Sequence, residues 1–141
     1  TYACVPNEPM LGNVAAAENC TVLFLKTAQI LSPCAVNCGH HGKLIENLLL
    51  VSAQKNLSLS RRIFHTAPKT IRGRLISYLS FQAIRENSDS FTIPFNRQQL
   101  ADYLSVDRSA LSRELCRMRD EKLLEFSGAR IKILDHDFLR H

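Results

Sequence analysis

The chain has 141 residues, 45% hydrophobic and 22% charged, with a formal charge of +5 and a pI near 9.1. These are ordinary values for a soluble globular protein, enough for one domain or two small ones. No run of about 18 apolar residues occurs and no secretory leader is read, so neither a membrane span nor export is expected.

The mild basicity is compatible with a polyanionic partner but is weak evidence alone. Its distribution says more. Residues 1–40 carry Lys26 against Glu8 and Glu18, whereas residues 41–67 carry Lys43, Lys55, Arg61 and Arg62 against Glu46. Residues 68–141 carry 13 Lys or Arg against 10 Asp or Glu. Five cysteines, Cys4, Cys20, Cys34, Cys38 and Cys116, follow no disulfide-scaffold spacing and read as reduced thiols of a cytoplasmic protein. The chain starts at Thr1, within what reads as an element, and is expected to be a piece whose N-terminal part is cut or unseen.

In chain order, Pro6, Pro9 and Gly12 indicate loop or edge. Residues 14–25 predict two short strands with Glu18 and Asn19 at the turn, and 26–33 a short helix ending near Pro33. His40 to Phe64 predicts a long helix. Leu44, Leu48 and Val51 form one stripe; Ile45, Leu49, Ser52, Asn56, Leu59 and Ile63 form a second at alternating four- and three-residue steps. The 3.5-residue average predicts self-pairing, with Ser52 and Asn56 as a polar stretch in the seam. The alternative is a buried core helix.

Ala67-Pro68 marks a break, and Pro68 suits the first turn of a second helix that carries Ile71, Leu75, Leu79 and Ala83. Residues 87–90 form a polar loop, and 91–95 a short edge strand. Asn96 is a good N-cap with Gln99 as its reciprocal partner, opening a helix to about Leu104. Residues 105–107 turn, and Asp107 caps a helix to about Glu121. Leu123–Phe126 and Arg130–Leu134 are β-rich runs joined by Ser127-Gly128-Ala129, a hairpin signal. Helix-turn-helix followed by a hairpin is a winged helix.

Within it, Ala101 is small where two helices cross, and Val106 plugs the angle between them. Leu111, Leu115 and Met118 face the core. The opposite face carries Arg108, Ser109, Ser112, Arg113, Cys116 and Arg117. Such a face suits a recognition helix in the major groove, where Arg113 can bond guanine O6 and N7 together. The bland reading, a solvated charged face, weakens because the capped helix, the turn and the hairpin surround it.

The run from Asn96 to Leu115, above all Leu-Ala-x-x-Leu followed by Val-Asp-Arg-Ser-Ala-Leu-Ser-Arg, resembles the helix-turn-helix of the Crp/Fnr transcription regulators. The resemblance extends to Thr70–Ser80 as the first helix of that domain and His40–Phe64 as the dimerisation helix. It also covers Val14–Leu25, as the last strands of an effector-binding β-roll. It implies a mainly α protein with a small β part, divided into a roll remnant over 1–39, a dimerisation helix over 40–66 and a winged helix-turn-helix over 67–141. The base-reading positions fall on Arg108, Ser109, Ser112 and Arg113, and the phosphate-holding ones on Arg97, Arg117, Arg130 and Lys132. The dimer seam falls on Leu44, Ile45, Leu48, Leu49, Ser52, Asn56, Leu59 and Ile63. Implied partners are double-stranded DNA, a second copy, RNA polymerase and an unknown small-molecule effector bound by a cyclic-nucleotide-binding-like domain.

Three departures from the family pattern stand out. Many members have Glu where this chain has Ser109, so its half-site is expected to differ. Many have Gly at Ser105, where a left-handed backbone would strain Ser. The Arg-Ser pair of cyclic-AMP binders falls near Met10-Leu11, which cannot hold a cyclic phosphate. Cys34, Cys38, His40 and His41 are metal-competent but match no standard spacing, so no cofactor or metal is expected. No phosphate loop, HExxH or Gly-x-Ser-x-Gly occurs, and His65 and His136 sit beside no nucleophile in sequence, so no enzyme is read. The rival readings are a redox or metal sensor using Cys34 and Cys38, and a winged-helix protein-interaction module that binds no DNA.

Overall fold

A computed structural model describes residues 12–26, 30, 32 and 39–135. Two compact units partition the chain, Thr1–Leu57 and Ser58–His141. Helix α1 spans Gly39–Thr66, slightly longer than the expected 40–64. Its last turns, from Ser58 on, belong to the second unit.

In the first unit the described residues outside α1 form no strand. Residues 12–26 are irregular and exposed, so the pair of strands expected over 14–25 is not formed there. The apolar residues in that stretch, Val22, Leu23 and Phe24 among them, lie open to solvent. A two-stranded ribbon is marginal without further strands or a helix to cover one face. The short helix expected over 26–33 falls mostly outside the described residues; Ile30 is helical and buried, and its amide donates to the Lys26 carbonyl at 3.3 Å. The His41 imidazole Nε2 lies against the Ile30 carbonyl. Cys34, Cys38 and the Met10-Leu11 pair lie outside the described residues. Among those described, no group of His, Cys, Asp and Glu is placed to hold a metal, and no helix is long and apolar enough to cross a membrane.

The second unit runs from the end of α1 through α2 (Ile71–Glu86), β1 (Ser90–Thr92), α3 (Arg97–Leu104), α4 (Arg108–Asp120), β2 (Leu124–Ser127) and β3 (Arg130–Ile133). Pro68 does not occupy the first turn of α2. Thr70 is the N-cap, its hydroxyl accepting from the Gly73 amide at 3.0 Å. A side-chain acceptor compensates an orphan amide, which proline cannot do. Pro68 instead packs beside the first turn: a Cβ on Gly73 would stand 2.9 Å from the Pro68 Cβ. Leu75, Tyr78, Leu79 and Gln82 form the buried stripe of α2, while Ile71 and Ala83 are half-buried at its margins. Asn87 ends the helix in the left-handed region at φ 47°, which asparagine tolerates.

The three strands form one antiparallel sheet ordered β1-β3-β2. The edge position of β1 agrees with its sequence reading. Phe91 pairs with Ile131, and Leu124 with Ile133. These four side chains are buried on one face and complete a core with Leu75, Leu79, Leu100, Leu104, Leu111, Leu115 and Met118. The β2–β3 turn is the two residues Gly128 and Ala129, with Gly128 at φ 58°. A positive φ at the first turn position alone is the type II′ arrangement, which matches the twist of the flanking strands.

Candidate nucleic-acid interface

Helix α3 begins with a complete capping box. The Gln99 amide donates to Asn96 Oδ1, and the Asn96 amide to Gln99 Oε1, both at 2.9 Å. It ends at Ser105, whose backbone adopts φ 55°, ψ 52°. The strain expected there is therefore present. Ala101 is fully buried, and the Val106 amide donates to its carbonyl at 3.0 Å, closing the turn between α3 and α4. Val106 packs half-buried against the core. Asp107 then caps α4, its carboxylate accepting from the Ala110 amide at 2.8 Å.

With Leu111, Leu115 and Met118 turned into the core, the other face of α4 is directed outward. Arg108, Ser109, Arg113 and Arg117 are exposed, and Ser112 and Cys116 half-buried. Ser112, Arg113, Cys116 and Arg117 line one shallow groove that ends at Asp120 and Glu121. Arg108 and Ser109 occupy the first turn. Among the described residues Arg108 and Arg113 have no ion-pair partner. Arg117 leans toward Glu114 at 3.3 Å, yet stays open to solvent.

The remaining sequence-predicted cations divide in two. Arg130 and Lys132 are exposed on β3 and border a depression shared with Ser90, Arg119 and Glu125; Arg130 Nε donates to Ser90 Oγ at 3.3 Å. Arg97 is different. Its guanidinium lies 4.7 Å from the Phe126 ring centre, and Arg119 lies 5.6 Å from the same centre. Burial pulls the Arg97 group below its ordinary value, with Cys116 close by acting in the opposite sense. Phe126 thus joins the start of α3, the end of α4 and the wing through two cation–π contacts.

Sequence reasoning missed the attachment of α4 to α2. Arg72 Nε donates to Glu114 Oε1 at 2.6 Å, and Arg72 Nη2 to Glu121 Oε1 at 2.8 Å. The two carboxylates, hydrogen-bonded to it, raise the Arg72 value above its ordinary one. The same bond holds the Glu121 carboxyl below its usual range. These partners stand 42 and 49 positions apart, so no local spacing could have paired them.

Residues 73–141 match the family description "Crp-like helix-turn-helix domain". The C-terminal region is of the Crp/Fnr family. The probable transcriptional regulator flp of Lacticaseibacillus casei is 35% identical to this chain over 88 residues, which are 62% of this chain and 40% of that relative. The chain therefore spans well under half the length of that curated relative. The structure of FixK2 from Bradyrhizobium japonicum aligns with a TM-score of 0.57 at 21% identity, covering 70% of this chain and 50% of that one. That likeness shows the fold. The Crp-like domain carries the DNA-binding helix-turn-helix of a family of transcription regulators.

Proposed function

We propose that this Crp/Fnr-type chain binds a pseudo-palindromic operator as a dimer, under the control of a sensor domain N-terminal to α1. The observation that carries the reading is the two-sidedness of α4: one stripe buried at 1% or less, the other presenting Arg108, Ser109, Ser112 and Arg113 outward. Arg113 reads guanine through paired donors, Arg108 and the two serines read or flank it, and Arg117, Arg130 and Lys132 hold phosphates. Arg97 assists at the backbone from its place on Phe126.

The apolar side chains of α1 support the dimer. Leu44, Ile45, Leu48 and Leu49 in the first unit, and Leu59 and Ile63 in the second, are all exposed in the single chain. Ser52 and Asn56 lie between them in sequence and are exposed as well. Two copies paired along these residues set two recognition helices about 34 Å apart, one turn of DNA. On this reading residues 1–39 are the end of an effector-binding roll, 40–66 pair the copies and 67–141 bind DNA. RNA polymerase and a small-molecule effector are the further partners, and the cytoplasm is the site of action.

Selection of bound duplexes from a random pool tests the reading, because it reports half-site, spacing and specificity together. An enriched inverted repeat is expected; a pool that stays random refutes it. On the selected site, Arg113→Ala should remove about 1–3 kcal/mol of discrimination at one base pair. Lys132→Ala should weaken all sequences alike and lower the salt slope by about one unit. Equal effects of the two changes would overturn the assignment of roles.

A further inference from the structure

The last turns of α1 are fastened to the helix-turn-helix by directed bonds. Arg62 Nε donates to the Tyr103 carbonyl at 3.1 Å, and Arg62 Nη2 to the Asp102 carbonyl at 3.0 Å. Its guanidinium also lies 5.8 Å from the Tyr103 ring centre. Arg74, from α2, takes the next two carbonyls: its Nη1 donates to Leu104 and Ser105, each at 2.9 Å. Its Nε holds the Pro68 carbonyl at 2.9 Å. Four consecutive carbonyls at the carboxyl end of α3 thus meet two guanidiniums. The Asp102 carbonyl also accepts from the Ser105 amide at 3.3 Å, and the last carbonyls of a helix carry the negative end of its dipole.

Three residues beyond Arg62, and so on the same side of α1, His65 is buried at 3% exposure. It packs against Tyr78, Phe81 and Tyr103, with its Nδ1 at 3.2 Å from Ser77 Oγ. Leu59 and Ile63, the last two seam residues, are exposed on these same turns. His65 supplies contact area, which tolerates rotation. Arg62 supplies direction, because a planar fork bonding two carbonyls and facing a ring accepts few orientations.

We propose that Arg62 is a positioning residue that fixes the angle between the seam-bearing turns of α1 and the helix-turn-helix, and thereby sets which half-site spacing the dimer accepts. The proposal rests on the dimeric reading above. One inserted base pair turns the second half-site by roughly a tenth of a helical turn. A rigid dimer resists that displacement, whereas a dimer with a loosened joint follows it.

The test uses the full chain and duplexes carrying two selected half-sites at spacings changed one base pair at a time, with a single half-site duplex alongside. Wild type should prefer its best spacing by about tenfold, equivalent to about 1.4 kcal/mol. Arg62→Ala should cut that preference to about threefold or less while single half-site affinity changes less than about twofold. Arg62→Lys should behave like Ala, since an ammonium cannot span both carbonyls and the ring. Arg61→Ala, which removes a neighbouring cation that lies over Phe81, should keep the preference and controls for lost charge. Equal weakening at every spacing, the single half-site included, would show that Arg62 only stabilises the fold and would overturn the proposal. So would a preference undiminished in Arg62→Ala. A wild type without spacing preference would instead refute the dimeric reading.

Discussion

Removing Arg72 should cost more stability than neutralising the carboxylate it holds. Glu114 is only 14% exposed at its side chain, Arg72 35% and Glu121 41%. An exposed pair contributes about 0–1 kcal/mol, whereas removing one partner of a buried pair costs about 3–5 kcal/mol. The Arg72–Glu114 pair falls between these limits, and solvent screening of the half-exposed guanidinium favours the lower half. Arg72→Met keeps the apolar stem but strands a mostly buried carboxylate, left among the described residues with the solvent-exposed Arg117 at 3.3 Å; about 2 kcal/mol is expected. Glu114→Gln leaves a guanidinium that retains Glu121 and reaches water, so about 1 kcal/mol is expected. The double variant should lose about 1 kcal/mol less than the sum, because the second change removes the stranded charge. Urea unfolding of the full chain measures all three as midpoint shifts at constant slope. A Glu114→Gln loss equal to or larger than that of Arg72→Met, or strictly additive losses, would refute the reasoning.

Ser105→Gly should stabilise the fold by about 0.5–1 kcal/mol: a left-handed L-residue costs about 1–2 kcal/mol, and glycine returns part of that as unfolded-state entropy. A thermal melt checks it, and an unchanged or lower midpoint would deny the strain at φ 55°. Burial, together with the charge of Arg61, holds the His65 imidazole below its ordinary value of 6.5. The unfolded chain therefore takes the proton first, so stability is complete above that pH, falls as pH drops through it, and levels off below the lowered folded value. Comparing melts near pH 7.5 and near pH 5.5 should show a smaller acid loss in His65→Phe than in wild type. Ser109→Glu should shift the selected half-site toward a cytosine, which can donate to the new carboxylate, and should cost no stability because an acidic residue suits the first turn of α4. An unaltered selected site would remove Ser109 from the base-reading set.

The parts of this domain that were legible in the sequence depend on near neighbours. Asn96 and Gln99 meet three residues apart, Asp107 meets the Ala110 amide at the same distance, and Leu111, Leu115 and Met118 share a face by helical period alone. Gly128 marks its turn because a positive φ favours glycine. What the sequence hid depends on distant partners. Arg62 and Tyr103 are 41 positions apart and Arg72 and Glu114 are 42 apart, and in a linear reading each arginine is one more surface cation. Pro68 read as the start of α2, but Thr70 is the cap, its hydroxyl accepting from the Gly73 amide. Residues 14–25 show the opposite failure. Their apolar run at 22–25 suggested a strand, but a strand needs a neighbouring sheet, and Val22, Leu23 and Phe24 meet solvent instead.

The groups that hold α4 in place and the groups proposed to read DNA are separate sets. The helix is anchored by its apolar stripe, by the Asp107 cap and by Glu114 on Arg72. Arg108, Ser109 and Arg113 take no part in any of these attachments. A surface substitution away from caps, cores and ion pairs usually changes stability by less than about 0.5 kcal/mol. The face proposed to read DNA can therefore vary freely, Ser109 included, while the scaffold stays fixed. Arg62 links the two sets from the other direction. It lies over Tyr103 and bonds the carbonyls just before the turn that leads into α4. On the proposed reading, specificity for a base resides in α4, and specificity for the distance between two sites in the joint behind it.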